Sequence, residues 1–394
     1  MPSFALTLLL VSCLSGLVPL TVDIFLPAMP SIAVELNAPV GEIQFSLATL
    51  NLGIALGHLL YGALSDRYGR KPVVIGAMAL YSLCAVACLL VAGSGAFSWL
   101  RFLQGLAAAC SMVLSRAIVR DRYDGTEAAR MYSYMFVAGA LAPILAPIVG
   151  GYVTASWGGM ATFYVVAAAG FAITLLFAAK FDESYPANVR AVHRAEMPGR
   201  LAELAHSSDF VLYTLITTAT FFGLFAILTG LSPTLIGVLG VSPTMFGYMF
   251  ATVMLGNFTA SYIAGRIVNR VGIDRMIVIG ALVCLAAGAV LLATTMSGIV
   301  TAWGIVAGAC AFMVGFALIN PAASAGAMSP FARMAGRASM IMGLLNMGAG
   351  AAMSFILGLA HDGTHRPLIY ALAASSLLVF VLALLIRMRR PTAT

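Results

Sequence analysis

At 394 residues, with 61% hydrophobic and 9% charged side chains and a mean hydropathy of +1.01, the chain lies outside the composition of soluble domains. Its formal net charge of +7 does not point to nucleic acid, because the basic residues are dispersed between apolar runs instead of gathered in a patch. Twelve such runs, each near the ~20 residues that cross a hydrocarbon core, fall at about 4–29, 43–64, 73–93, 96–118, 131–153, 160–180, 210–231, 245–268, 276–294, 298–320, 338–360 and 368–388. The expected fold is an all-α membrane protein of twelve transmembrane helices, with the lipid bilayer as its solvent.

The first run, from Phe4 to Met29, contains Asp23, the one acid that the hydropathy pattern places within the membrane. An intramembrane acid reads as a functional site. Leu10-Val11-Ser12-Cys13 looks like a lipoprotein cleavage box, but no basic residue precedes it and the apolar stretch runs well past it, so cleavage is not expected. Ser12, Ser15, Pro19 and Asp23 follow one another at helical spacing on helix 1; Gln44, Asn51 and His58 do so on helix 2, and Arg101, Gln104, Ser111 and Ser115 on helix 4. Three polar stripes on lipid-like helices read as walls of a shared wet cavity. The alternative is interhelical hydrogen-bond glue, worth about 0.6 kcal/mol per contact, which suits Gln44 and Ser111.

Asp23 and Arg101 are expected at similar depths, near the outer ends of helices 1 and 4, although a charge at a helix centre costs roughly 2.5–3.5 kcal/mol. Either they form a structural pair or they couple protons. Burial disfavours a carboxylate's charged form and a nearby arginine favours it, so the position of Arg101 or of a bound substrate can decide whether Asp23 holds a proton. His58 suits a proton relay or a hydrogen-bonded fixture. Phe25, Tyr134, Phe221, Phe222, Phe225, Asn257, Asn346 and Met347 are candidate lining residues, each also compatible with plain packing.

No metal site is expected. The six cysteines (Cys13, Cys84, Cys88, Cys110, Cys284 and Cys310) fall inside the runs, and no His or acid joins Cys84 and Cys88 at ligand spacing. His361, Asp362 and His365 read as a solvated turn in the last outer loop. With no nucleophile–base pair or phosphate loop within the runs, an enzyme is not expected either.

With the N-terminus inside, alternate connections and the C-terminal tail hold 19 of the 21 Lys and Arg residues, leaving Arg366 outside and Arg101 within a helix. Cytoplasmic loops collect such residues, so both termini are expected in the cytoplasm. The longest polar interruption, 181–209, carries Pro186, His193, Pro198 and His206 and reads as a cytoplasmic linker with a short surface helix, between a bundle at 1–180 and another at 210–394. A repeat supports two pseudo-symmetric halves. Gly62-Ala63-Leu64-Ser65-Asp66-Arg67-Tyr68-Gly69 has an echo 203 residues later in Gly265-Arg266-Ile267-Val268-Asn269-Arg270-Val271-Gly272, and repeated halves flanking a midplane site are a transporter architecture.

The first copy continues into Arg70-Lys71-Pro72. Gly62, Asp66, Arg67, Gly69, Arg70 and Lys71 together resemble the loop motif of the major facilitator superfamily, where this loop is a cytoplasmic latch; Arg120 is an expected further member. Gly62 suits close helix approach, Gly69 a positive φ, and Asp66 an arginine partner or a helix N-terminus. Asn269 in the second copy implies a weaker latch. Arg101, Gln104 and Gly105 are similar to the family's helix-4 motif. Pro143, Pro147, Gly150 and Gly151 resemble its antiporter motif, associated with exporters, with Ala146 where many members have Gly. Pro19 to Pro30, Arg120-Asp121-Arg122-Tyr123 and Ala335-Gly336-Arg337-Ala338-Ser339 resemble the Bcr/CflA group of bacterial drug exporters.

The resemblance implies a monomeric, proton-coupled drug antiporter of a bacterial inner membrane. It would need no cofactor beyond the proton gradient and would export small amphipathic compounds, such as bicyclomycin, chloramphenicol or florfenicol, by alternating access. The alternative is a dedicated exporter of a metabolite, an amino acid or a sugar. Ser15 stands where some relatives carry a second acid, which implies one titrating carboxylate and a preference for neutral or zwitterionic substrates over dications.

Overall fold

A computed structural model describes residues 4–184, 204 and 206–389. Most of the expected linker, with Arg190, His193, Arg194, Arg200 and the short surface helix, lies outside the described residues, as does Arg390. The described residues form helices joined by short turns, without strands, as unsatisfied backbone groups in lipid require. The chain divides into two compact units, Met1–Met197 and Pro198–Thr394.

In the first unit the initial apolar run is broken into α1 (Phe4–Ser15), α2 (Leu17–Asp23), a 3-10 turn (Leu26–Ala28) and α3 (Met29–Glu35). Gly16 marks the first break, and Pro27 and Pro30 enter the turns that follow Asp23. The unbroken helices are α4 (Val40–Tyr68), α5 (Arg70–Cys88), α6 (Ser94–Arg122), α7 (Gly125–Trp157) and α8 (Thr162–Lys180). The second unit comprises α9 (Ser208–Ser232) with a π-helical extension (Pro233–Val238), α10 (Pro243–Val271), α11 (Ile273–Met296), α12 (Ala302–Met328), α13 (Ala335–Ala360) and α14 (Arg366–Arg389).

The internal repeat is visible in the packing. Within unit 1, α4 packs on α6, and α5 on α6 and α8; within unit 2, α10 packs on α12, and α11 on α12 and α14. Both α4 and α10 run for 29 residues and end on a glycine of positive φ, Gly69 at 99° and Gly272 at 86°.

Among the described residues, eleven helices are long and apolar enough to cross a membrane. Of the twelve expected, α10 is the one that falls short: it matches α4 in length, but Asn257, Thr259, Ser261, Arg266, Asn269 and Arg270 dilute its C-terminal half. Trp99, Trp157 and Trp303 are all exposed at helix ends opposite the arginine-rich ones, where amphipathic rings sit at a membrane interface.

Candidate functional site

Asp23 is the last residue of α2, a seven-residue segment between two breaks. Only 4% of it is exposed, and among the described residues its carboxylate has no ion pair and no hydrogen bond. Three neighbours hold the segment. From α7, Gly150 lies so close that a Cβ there would run into the Ile24 carbonyl and, at 3.0 Å, into the Pro27 ring. From α5, the Tyr81 hydroxyl meets the Thr21 hydroxyl at 2.5 Å. From α6, the Arg101 guanidinium lies 4.5 Å from the centre of the Phe25 ring.

Arg101 is fully buried. Its Nη1 donates to Gln104 Oε1 at 2.7 Å, and its guanidinium also lies 5.4 Å from the Phe163 ring. Phe25, Phe97 and Phe163 form one aromatic cluster, with centroids 5.4–6.4 Å apart. A desolvated cation over an aromatic face gains about 2 kcal/mol, which offsets part of the cost of burial. Nε and Nη2 find no acceptor among the described residues. The expected partnership with Asp23 is thus not an ion pair in this structure: π faces and an amide oxygen hold the cation instead.

The polar stripes of α4 and α6 are buried rather than wetted, His58 excepted, while Ser12, Ser15 and Pro19 of the first stripe are half-buried. Gln44, Asn51, Gln104, Ser111 and Ser115 are all shielded from water, on two helices that meet backbone to backbone. A Cβ on Gly53 would strike the Phe102 carbonyl, one on Gly57 the side chain of Ala109, and one on Gly105 the Leu50 carbonyl. Asn51 keeps both amide atoms, and Gln104 its Nε2, without a partner among the described residues. Phe25 likewise belongs to the ring cluster and not to an open wall. Ser15 donates to the Ser12 carbonyl at 3.1 Å, and His58 Nδ1 lies 2.8 Å from the Ile54 carbonyl, a bond that a fixture would make.

Tyr134 is exposed, and the Arg130 guanidinium sits 5.6 Å from its ring, at the arginine-rich end of α7. In unit 2, Phe225 packs over Gly350 and lies 6.3 Å from Phe221, while Phe222 is partly buried. Asn346 Oδ1 lies 3.3 Å from the hydroxyls of both Thr217 and Thr218. Asn257 Oδ1 is buried with no partner among the described residues.

The loop motif centres on Arg70. Its Nη1 donates to Asp66 Oδ1 at 2.7 Å and to Ser65 Oγ, and its Nε donates to Asp121 Oδ2 at 2.8 Å. The backbone N–H groups of Arg70 and Lys71, at the start of α5, donate to the Glu183 carboxylate at 2.9 and 3.1 Å, as a helix N-terminus favours. Three members were missed in the sequence: Ser65, Asp121 and Glu183. Arg120 is exposed and stands outside the cluster, and Arg67 lies over its own neighbour Tyr68. Gly62 has nothing within 4 Å of its Cβ position, so the close helix approach belongs to Gly53 and Gly57 instead. In the second copy Asn269 is exposed, and Tyr213 donates to Asp274 at 2.6 Å. Pro143 and Pro147 sit inside a continuous α7, and Gly151 is buried beside Gly150.

A family model described as Major Facilitator Superfamily matches residues 11–355. The bicyclomycin resistance protein homolog of Haemophilus influenzae is 30% identical over 372 residues, 94% of this chain and 92% of that protein. Multidrug resistance protein MdtL of Escherichia coli is 28% identical over 391 residues, 99% of this chain and 96% of that one. Among solved structures, a D-xylose-proton symporter aligns with a TM-score of 0.74 at 16% identity, over 98% of this chain and 97% of that one; this is a likeness of fold.

Proposed function

Because the chain belongs to the major facilitator superfamily, and is a multi-pass membrane transporter and not an enzyme, we propose that it is a proton-coupled exporter of small amphipathic drugs such as bicyclomycin or the phenicols. The observation that carries the reading is Asp23: a carboxylate 4% exposed, at the end of a short broken segment, with no counter-charge bonded to it among the described residues. An ionised carboxylate in that setting costs several kcal/mol, a cost that binding a proton removes. Discontinuous membrane helices supply ion sites in transporters of several folds. The names of the two similar proteins support the drug substrate.

In the proposed cycle Asp23 takes a proton from the outer side, carries it inward as the two halves alternate access, and releases it when substrate enters from the cytoplasm. Each charge moved across 100 mV contributes about 2.3 kcal/mol. With Ser15 in place of a second acid, one carboxylate serves, and neutral or zwitterionic substrates are favoured over dications. The protein acts as a monomer in the bacterial inner membrane, both termini in the cytoplasm.

The test is substrate-induced proton release from detergent-purified protein, with chloramphenicol, florfenicol and bicyclomycin, in wild type and Asp23→Asn. Release in the wild type alone is the expected result. Release that persists in Asp23→Asn removes that carboxylate from the mechanism, and no release with any compound overturns the assignment of these drugs as coupled substrates.

A further inference from the structure

The Thr21–Tyr81 contact lies two residues before Asp23 and has a determined direction. A threonine hydroxyl has one proton to give, and Thr21 Oγ1 donates its own to the Leu17 carbonyl at 2.6 Å. At the 2.5 Å contact with Tyr81 it therefore accepts, and Tyr81 is the donor. The phenol is fully buried. Its ring occupies space that only a glycine leaves: a Cβ on Gly170 of α8 would come within 2.5 Å of it. The phenol oxygen, with its proton committed to Thr21, also lies within electrostatic reach of Arg101. Two attachments therefore join the Asp23 segment to the surroundings of the buried cation, one through Phe25 and one through Thr21 and Tyr81.

We propose that Tyr81 is a positioning residue for proton exchange, holding α2 through Thr21 so that Asp23 stays in its buried position at the end of that segment. The inference rests on Asp23 being the proton site. The titratable groups on the elements around it are few. Besides the groups at their arginine-rich ends (Arg70 and Lys71; Arg116, Arg120, Asp121 and Arg122), α5 brings Tyr81, Cys84 and Cys88, α6 brings Arg101 and Cys110, and α1 brings Cys13. The titratable groups of α7 are Glu127, Arg130, Tyr132, Tyr134 and Tyr152, and those of α8 are Tyr164 and Lys180; those two tyrosines toward the outer ends, Tyr152 and Tyr164, are exposed. Burial disfavours the charged carboxylate, so loosening this attachment, which lets water approach, makes Asp23 give up its proton at lower pH.

The experiment needs no substrate. Dicyclohexylcarbodiimide modifies protonated carboxyl groups in apolar surroundings, and its attachment to Asp23 of the full-length purified protein is followed by mass spectrometry across pH, with Asp23→Asn as the assignment control. Tyr81→Phe keeps the ring and removes the donor; Thr21→Val keeps the shape and removes the acceptor. Both are expected to move the labelling midpoint downward by about 0.5–1 pH unit, the scale of one intramolecular hydrogen bond, while Thr21→Ser keeps the wild-type midpoint. A midpoint unchanged in both variants overturns the role of Tyr81 and leaves the proton site standing. No labelling of Asp23 at any pH overturns the proton site itself, and the inference with it.

Discussion

The two carboxylates on Arg70 are unequal, and the inequality predicts which substitution matters. The Arg70 side chain is 3% exposed; its Asp121 partner is 9% exposed and its Asp66 partner 45%. Asp121→Asn preserves shape and one acceptor oxygen, so what is lost is the charge-assisted part of a buried hydrogen bond. Hydrogen bonds to charged groups contribute about 1.5–3 kcal/mol and neutral ones about 0.5–1.5, so the expected loss is about 1–2 kcal/mol. Asp66→Asn removes a half-exposed i,i+4 pair, whose contribution is about 0–1 kcal/mol after solvent screening. Equilibrium unfolding of the purified protein in mixed dodecyl maltoside and SDS micelles gives both values. A double-mutant cycle with Arg70→Gln isolates the coupling, expected to be larger for Asp121. An Asp66→Asn loss equal to or above that of Asp121→Asn would refute the argument from burial, and with it the ranking of the pairs.

Gly105→Ala places a methyl group against the backbone of Leu50 and is expected to destabilise the same unfolding transition by about 1–3 kcal/mol, whereas Gly62→Ala, with open space at its Cβ position, should be close to neutral. His58→Gln should leave the pH dependence of transport in proteoliposomes unchanged, because the ring bonds the Ile54 carbonyl; a shifted profile would restore a relay role. Glu35 accepts from the N–H groups of both Gly159 and Met160 and from the Ser31 hydroxyl, tying α3 to the turn between α7 and α8. Glu35→Gln should lower unfolding stability by about 1–2 kcal/mol, and faster amide exchange at Gly159 and Met160 would locate the loss.

The membrane-spanning, all-helical fold was legible in one dimension, because the cost of burying backbone and charge in lipid is imposed residue by residue. Run length sets the helices, and Asp23 and Arg101 stand out for the same reason, as charges inside apolar text. Gly69 was legible too, since a chain reversal after a long helix calls for positive φ. What only the tertiary structure decided is pairing. Asp121 lies 51 residues from Arg70, Glu183 lies 113 from it, and Tyr81 lies 60 from Thr21; a tyrosine in an apolar helix carries no mark of the hydroxyl it will meet. Helical periodicity also placed Asn51 and Gln104 on one face without saying whether that face would be wet. The answer came from Gly53, Gly57 and Gly105, which bring α4 and α6 together. Sequence determined which side chains are costly in a membrane, since that cost depends on the residue and the run around it. Which neighbours offset the cost is set by packing between distant segments, and it put phenylalanine rings and an amide, not an acid, around Arg101.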